Sequence, residues 1–164
     1  MNLFSFSSLI TIPLISSPIV YLAGRLGSRE TTLHGRSYLV RLLALIAVFT
    51  AWVPFVFSAQ SFLANDVQEF AIENIRLSVD GISLLMAGCV LLLGTLVVLF
   101  SGSYMMEEVG EEKYYAMLLA MIGVIIGLGC ASDLFNLWVW FEAMSVSSYL
   151  LVAFYTHERG ALEA

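Results

Sequence analysis

One carboxylate stands alone in the most informative stretch of this 164-residue chain. Residues 132–155 read SDLFNLWVWFEAMSVSSYLLVAFY, mostly apolar and long enough to cross a hydrocarbon core as a helix. Glu142 lies in its middle, roughly 13 Å along the axis from Asp133, which marks its start. That is close to the midplane of a bilayer core about 30 Å thick. A carboxyl group there costs about 2.5–3.5 kcal/mol or more to insert, so it needs a partner or a proton. Two chemistries follow. If a neighbouring charge can be moved to add or remove the proton, Glu142 is a proton carrier. If it keeps its proton and hydrogen-bonds a neighbouring helix, it is structural glue.

Residues three, four and seven apart share a helix face. Glu142 therefore shares one with Trp138, Ser145 and Tyr149. Ser145 can hydrogen-bond the carboxyl group, and Tyr149 offers a hydroxyl one turn further on. Asp133 is nine residues back, on roughly the opposite face, so the two acids are not a local dyad. Ser132 is a natural N-cap, and Asp133 suits the positive end of the helix dipole. The alternative for Asp133 is a proton-uptake role at the surface. None of the seven basic residues is expected near the midplane; Arg41 comes closest. The counter-charge to Glu142 is therefore expected from another chain or from beyond Ala164.

The elements that must position this residue are apolar spans. The chain is 60% hydrophobic and 12% charged, with mean hydropathy +0.90, and its charges cluster between long apolar runs. A soluble domain of this size cannot hide so much apolar surface, which makes this an integral membrane protein with the lipid bilayer as its solvent. The acids behind the net charge of -6 sit mostly in loops, and nothing points to nucleic acid. Cys89 and Cys130 both fall in apolar runs and read as helix- or lipid-facing filler rather than a disulfide or metal site. The first positive charge, Arg25, follows the N-terminal apolar run, so that run reads as a span rather than a signal peptide.

The fold class is all-α integral membrane, with five transmembrane helices at about 4–23, 37–62, 81–104, 114–131 and 133–155 in a single membrane domain over 1–164. Pro13 and Pro18 interrupt the first span, by kinked packing or as part of a water-lined path, with Ser7, Ser8, Ser16 and Ser17 able to bond the backbone. Residues 24–36 are a polar loop containing His34, solvated or a proton relay. In the second span Pro54 predicts a bend, and Trp52 with residues 55–57 suits an interface belt. Alternation across 70–80 predicts a short β-hairpin turning at Glu73-Asn74, with Asp80 as N-cap of the third helix. Gly88 and Gly94 mark close contacts in that helix. Residues 107–113, EEVGEEK, read as a solvated acidic loop. Gly123 and Gly127 form a small-xxx-small pair in the fourth span.

Six basic residues (Arg25, Arg29, Arg36, Arg41, Lys113, Arg159) fall on one side of this arrangement and Arg76 on the other. The positive-inside rule then puts the N-terminus outside and the C-terminus in the cytoplasm.

Three pieces carry a resemblance: IRLSVDGISLLM, ASDLFNLWVWFEAMSVSSYLLVAFY and the ending ERGALEA. They are similar to the antiporter-like proton-translocating membrane subunits of respiratory complex I, a family shared with multisubunit cation/proton antiporters and membrane-bound hydrogenases. The resemblance covers about the second half of the chain. It implies that Glu142 matches the midplane glutamate of the family's fifth helix, which pairs with a lysine on a later helix and a lysine-rich polar axis. It also implies a larger subunit, of about fourteen helices with inverted repeats, of which this is the N-terminal part.

The implied function is proton translocation as a non-redox subunit of a pump of the NADH:quinone oxidoreductase type. Other membrane subunits would be its partners, and NADH, flavin, iron–sulfur clusters and quinone would be bound by partner subunits. This chain has no flavin, iron–sulfur or haem ligation pattern and no catalytic redox centre. The implied location is the bacterial inner membrane or a mitochondrial or thylakoid-type energy-transducing membrane. Two alternatives stay open: a cation/proton antiporter subunit without redox coupling, and a structural membrane subunit.

Overall fold

A computed structural model describes residues 3–27, 33–65, 68–72, 75–105 and 110–155. They form five α-helices and one hairpin: α1 (Leu3–Gly27), α2 (Leu33–Asn65), β1 (Gln68–Ile72), β2 (Ile75–Val79), α3 (Gly81–Met105), α4 (Glu111–Gly129) and α5 (Leu134–Val152). A 3-10 turn, Ala153–Tyr155, follows α5. Four helices are long and apolar enough to cross a membrane, over Ser7–Leu26, Tyr38–Ala64, Gly81–Ser103 and Glu111–Gly129. The molecule is an integral membrane protein. α5 matches α4 in length at 19 residues but carries Asn136, Glu142 and three serines, and it falls outside that apolar set.

α4 is the central post. Half of its span is buried, against 28–33% for α1, α2 and α3. α1 lies along α4 and α2, α3 packs on α2 and α4, and α5 leans on α4. The interior holds Leu9, Val20, Val48, Leu91, Leu119 and Ile126, while Ile46, Phe49, Leu93 and Phe100 point outward. In water such an outward face would be a liability, whereas in lipid it is the solvated face. Gly88 and Gly94 are close contacts as expected: the Phe55 ring lies 3.1 Å from where a Gly88 Cβ would sit, and the Ile122 side chain fills the place of one on Gly94.

Several boundaries differ from the sequence reading. α1 runs to Gly27 and α2 begins at Leu33, so His34 and Arg36 are helical rather than in a loop. Residues 28–32 lie outside the described set. α4 starts at Glu111, and Glu111 and Glu112 are buried, at 5% and 8% exposure, not part of a solvated loop. Glu112 packs against Gly24 of α1, which explains its burial. α1 continues as one helix through Pro13 and Pro18. There Ser16 Oγ donates to Ile12 O (2.6 Å), and Ser17 Oγ ties α1 to α4 through Ala116 O (2.7 Å). Trp52 is no simple interface anchor: its indole N–H donates to Thr95 Oγ1 on α3 at 3.1 Å, and its ring meets Phe55 edge-on.

The hairpin forms as the alternation predicts, antiparallel with Ile72 opposite Ile75. The turn expected at Glu73-Asn74 lies outside the described residues. Asp80 caps α3 as expected, accepting from Ser83 N at 2.7 Å. Those hydrogen bonds from Ser83, backbone first and then hydroxyl, hold the Asp80 carboxyl below its ordinary value of 3.8.

Candidate functional site

The start of α5 is fixed by a small polar knot. Ser78 N donates to Cys130 O at 2.8 Å, and Leu77 pairs with Ala131 as an isolated antiparallel bridge. The Ser83 hydroxyl reaches Gly129 O at 2.7 Å and Asp80 Oδ1 at 2.8 Å, and its single proton serves one of them at a time. The hairpin, the head of α3 and the end of α4 are thereby joined where α5 begins. Asp133, rather than Ser132, is the N-cap. Its backbone is extended (φ -130°, ψ 155°), and its carboxylate accepts from Asn136 N at 2.7 Å. This cap satisfies an otherwise orphaned donor and aims the helix.

α5 has two unlike faces. Asn136 is buried, and Trp140 packs flat on α4, three of its ring atoms 2.8 Å from where a Gly127 Cβ would be. Only glycine lets the indole come that close. Gly123 faces a different helix, with Leu14 Cγ at 2.9 Å and Ile10 O at 3.3 Å from its would-be Cβ. The small-xxx-small pair expected as one seam thus serves two partners, α1 at Gly123 and α5 at Gly127. The reason is that α4 is central and offers each turn to another neighbour.

The other face of α5 points away from the bundle. Glu142 lies there, exposed, with Phe135 (69%), Trp138 (58%), Ser145 and Tyr149 (68%). The shared face of Trp138, Glu142, Ser145 and Tyr149 is as the spacing implied. The expected Ser145–Glu142 hydrogen bond is not made: Ser145 Oγ donates to Phe141 O at 3.0 Å, in its own helix. A helical serine commonly back-bonds in this way, its hydroxyl sharing the carbonyl oxygen four residues before it. Among the described residues, Glu142 has neither a hydrogen-bond nor an ion-pair partner. Arg41 is engaged elsewhere: its Nη2 donates to Leu99 O on α3 at 2.8 Å, and its guanidinium lies over Gly102. Asp133 and Glu142 stay apart, the first capping α5 and the second at its centre.

Glu142 is thus a carboxylate near the centre of α5, on an outward face that also carries the Tyr149 side chain two turns on. Among the described residues, no three His, Cys, Asp or Glu side chains converge as a metal site. Neither the Trp140–Gly127 contact nor the Arg41 clamp was legible in the sequence. The only signal for the first was a glycine in a helix facing no assigned partner. The second had none beyond a cation inside an apolar helix.

Comparison with known proteins gives the chain's relatives. Residues 65–115 match the family described as NADH-ubiquinone oxidoreductase (complex I), chain 5 N-terminus. The chain is 31% identical over 138 residues to the chloroplastic NAD(P)H-quinone oxidoreductase subunit 5 of Adiantum capillus-veneris, covering 76% of this chain and 19% of that one. It is 28% identical over 152 residues to NADH-quinone oxidoreductase subunit L of Buchnera aphidicola, covering 90% and 25%. It is also 30% identical over 89 residues to a Na(+)/H(+) antiporter subunit of Staphylococcus haemolyticus, covering 54% and 11%. The chain spans about a quarter or less of the length of these relatives.

Proposed function

Because the chain belongs to the antiporter-like family of membrane subunits that links complex I chain 5 with subunits of Na(+)/H(+) antiporters, we propose that it takes part in moving protons across an energy-transducing membrane. The observation that carries the proposal is Glu142, central in α5, outward-facing and unpartnered among the described residues. In this reading α5 is the fifth membrane span, the N-terminus lies outside, and the chain corresponds to the N-terminal part of a larger subunit. A cation on a neighbouring helix faces Glu142 and holds it ionised. When the complex changes state and the cation withdraws, desolvation favours the protonated form, and a proton is taken up. Tyr149 and Ser145 line the same face as supporting groups, and Asp133 stands nearer the opposite surface.

Two relatives are named for quinone oxidoreduction, which favours a redox-driven pump of the NADH:quinone oxidoreductase type. Flavin, iron–sulfur clusters and quinone then belong to partner subunits. The relative named for Na(+)/H(+) antiport supports a second reading, cation/proton exchange without redox coupling. Purification of the tagged chain in its native complex separates them. Co-purifying flavin and iron–sulfur subunits are the expected result. A complex of small hydrophobic chains alone would replace the first reading with the second.

A further inference from the structure

α1, α4 and α5 border a groove of about 480 Å³. Its walls are Pro18 from α1, Met117 and Ala120 from α4, and Leu150 from α5. The hydroxyl of Ser17, which also lines it, is occupied by its bond to Ala116 O, and Ser147 of α5 adds one further hydroxyl to the wall, so the interior is mostly apolar. The mouth is different. Lys113 stands there, exposed, with Tyr21 opposite, and Arg25 Nη1 donates to the Tyr21 hydroxyl at 3.0 Å. Glu111 and Glu112, the acids of the same helical turn, are buried and do not line the groove.

The axis of this groove matches a lipid. Lys113 is in the first turn of α4, at one face of the membrane whichever compartment that face meets. Ala120 lies seven residues on, about 10 Å deeper. A cationic mouth at the interface leads to an apolar slot running down the membrane normal. Charge complementarity selects an anionic headgroup, and the slot selects an acyl chain. We propose that this groove holds one acyl chain of an anionic phospholipid, with Lys113 receiving its phosphate.

The test uses the full chain, extracted in mild detergent and exposed to equimolar phosphatidylglycerol and phosphatidylcholine. Retained lipid is counted by native mass spectrometry. Wild-type protein is expected to keep phosphatidylglycerol about fivefold better, the advantage of one interfacial cation. Lys113→Gln should bring that ratio near one, and Lys113→Arg should preserve it. Ala120→Leu, which fills the slot, should lower retention of both lipids several-fold, and millimolar inorganic phosphate should displace neither. Equal retention of the two lipids by wild-type protein, as when a protein segment fills the groove, would overturn the proposal. So would indifference to Lys113→Gln, unchanged binding in Ala120→Leu, or displacement by phosphate alone. Lys113 is exposed, so its Gln and Arg variants, matched in melting temperature, decide the question even if Ala120→Leu fails to fold.

Discussion

Gly127→Ala tests how the position of Glu142 is set. The Trp140 ring atoms Cδ2, Cε2 and Cε3 all lie 2.8 Å from the place of the new methyl carbon. Ordinary contact begins at 3.4 Å, so the ring must retreat by about 0.6 Å. A flat indole wedged on a helix has no flexible end to swing away, so the displacement passes into α5, two residues from Glu142. Overpacking of this kind costs about 1–3 kcal/mol. At about 2–4 °C per kcal/mol for a chain of this size, the melting temperature should fall by several degrees. Trp140→Phe is the partner variant. It removes bulk together with a buried indole N–H that has no hydrogen-bond partner among the described residues, so by itself it should cost little. The double variant should recover much of the loss, with a coupling of about 0.5 kcal/mol or more in thermal unfolding in detergent. An unchanged melting temperature in Gly127→Ala, or strict additivity in the cycle, would refute this coupling.

Asp80→Ala should cost about 1 kcal/mol by removing the α3 cap. The Asp80 carboxyl is held below 3.8, so its ionised cap contributes fully above that pH and is lost as pH falls through the folded-state value; Asp80→Asn should keep the cap and flatten this acid limb in unfolding profiles. Arg41→Gln should cost about 1 kcal/mol by releasing Leu99 O, and Gly102→Ala should add little once Arg41 is gone, read by chemical unfolding. Trp52→Phe should cost about 0.5–1.5 kcal/mol through the lost bond to Thr95, with a change in indole fluorescence as a second readout.

The long apolar runs made the helices legible, because lipid demands about 20 such residues and little else meets that demand. Alternation across 75–79 revealed the hairpin, and Asp80 its junction with α3. Helix ends were less legible. Hydropathy stops at the interface, whereas α2 begins at Leu33 and α4 at Glu111, among polar residues. Burial of Glu111 and Glu112 is a tertiary outcome of packing α4 on α1, which local charge patterning cannot express. The glycines of α4 were visible as sites of close approach, but not which helix each one meets. Within the site, the face of Glu142 followed from helical periodicity alone. The hydroxyl of Ser145 did not, because the helix carbonyl one turn back competes for it.

The central claim is that Glu142 carries a proton. Proton translocation by the assembled complex in sealed vesicles, followed with a pH-sensitive dye, compares wild type with Glu142→Gln and Glu142→Asp. The predicted result is that Glu142→Gln, which keeps shape but cannot ionise, assembles normally and loses most translocation, while Glu142→Asp retains part of it. Wild-type translocation in Glu142→Gln, especially with weakened assembly, would contradict the claim and leave Glu142 as structural glue.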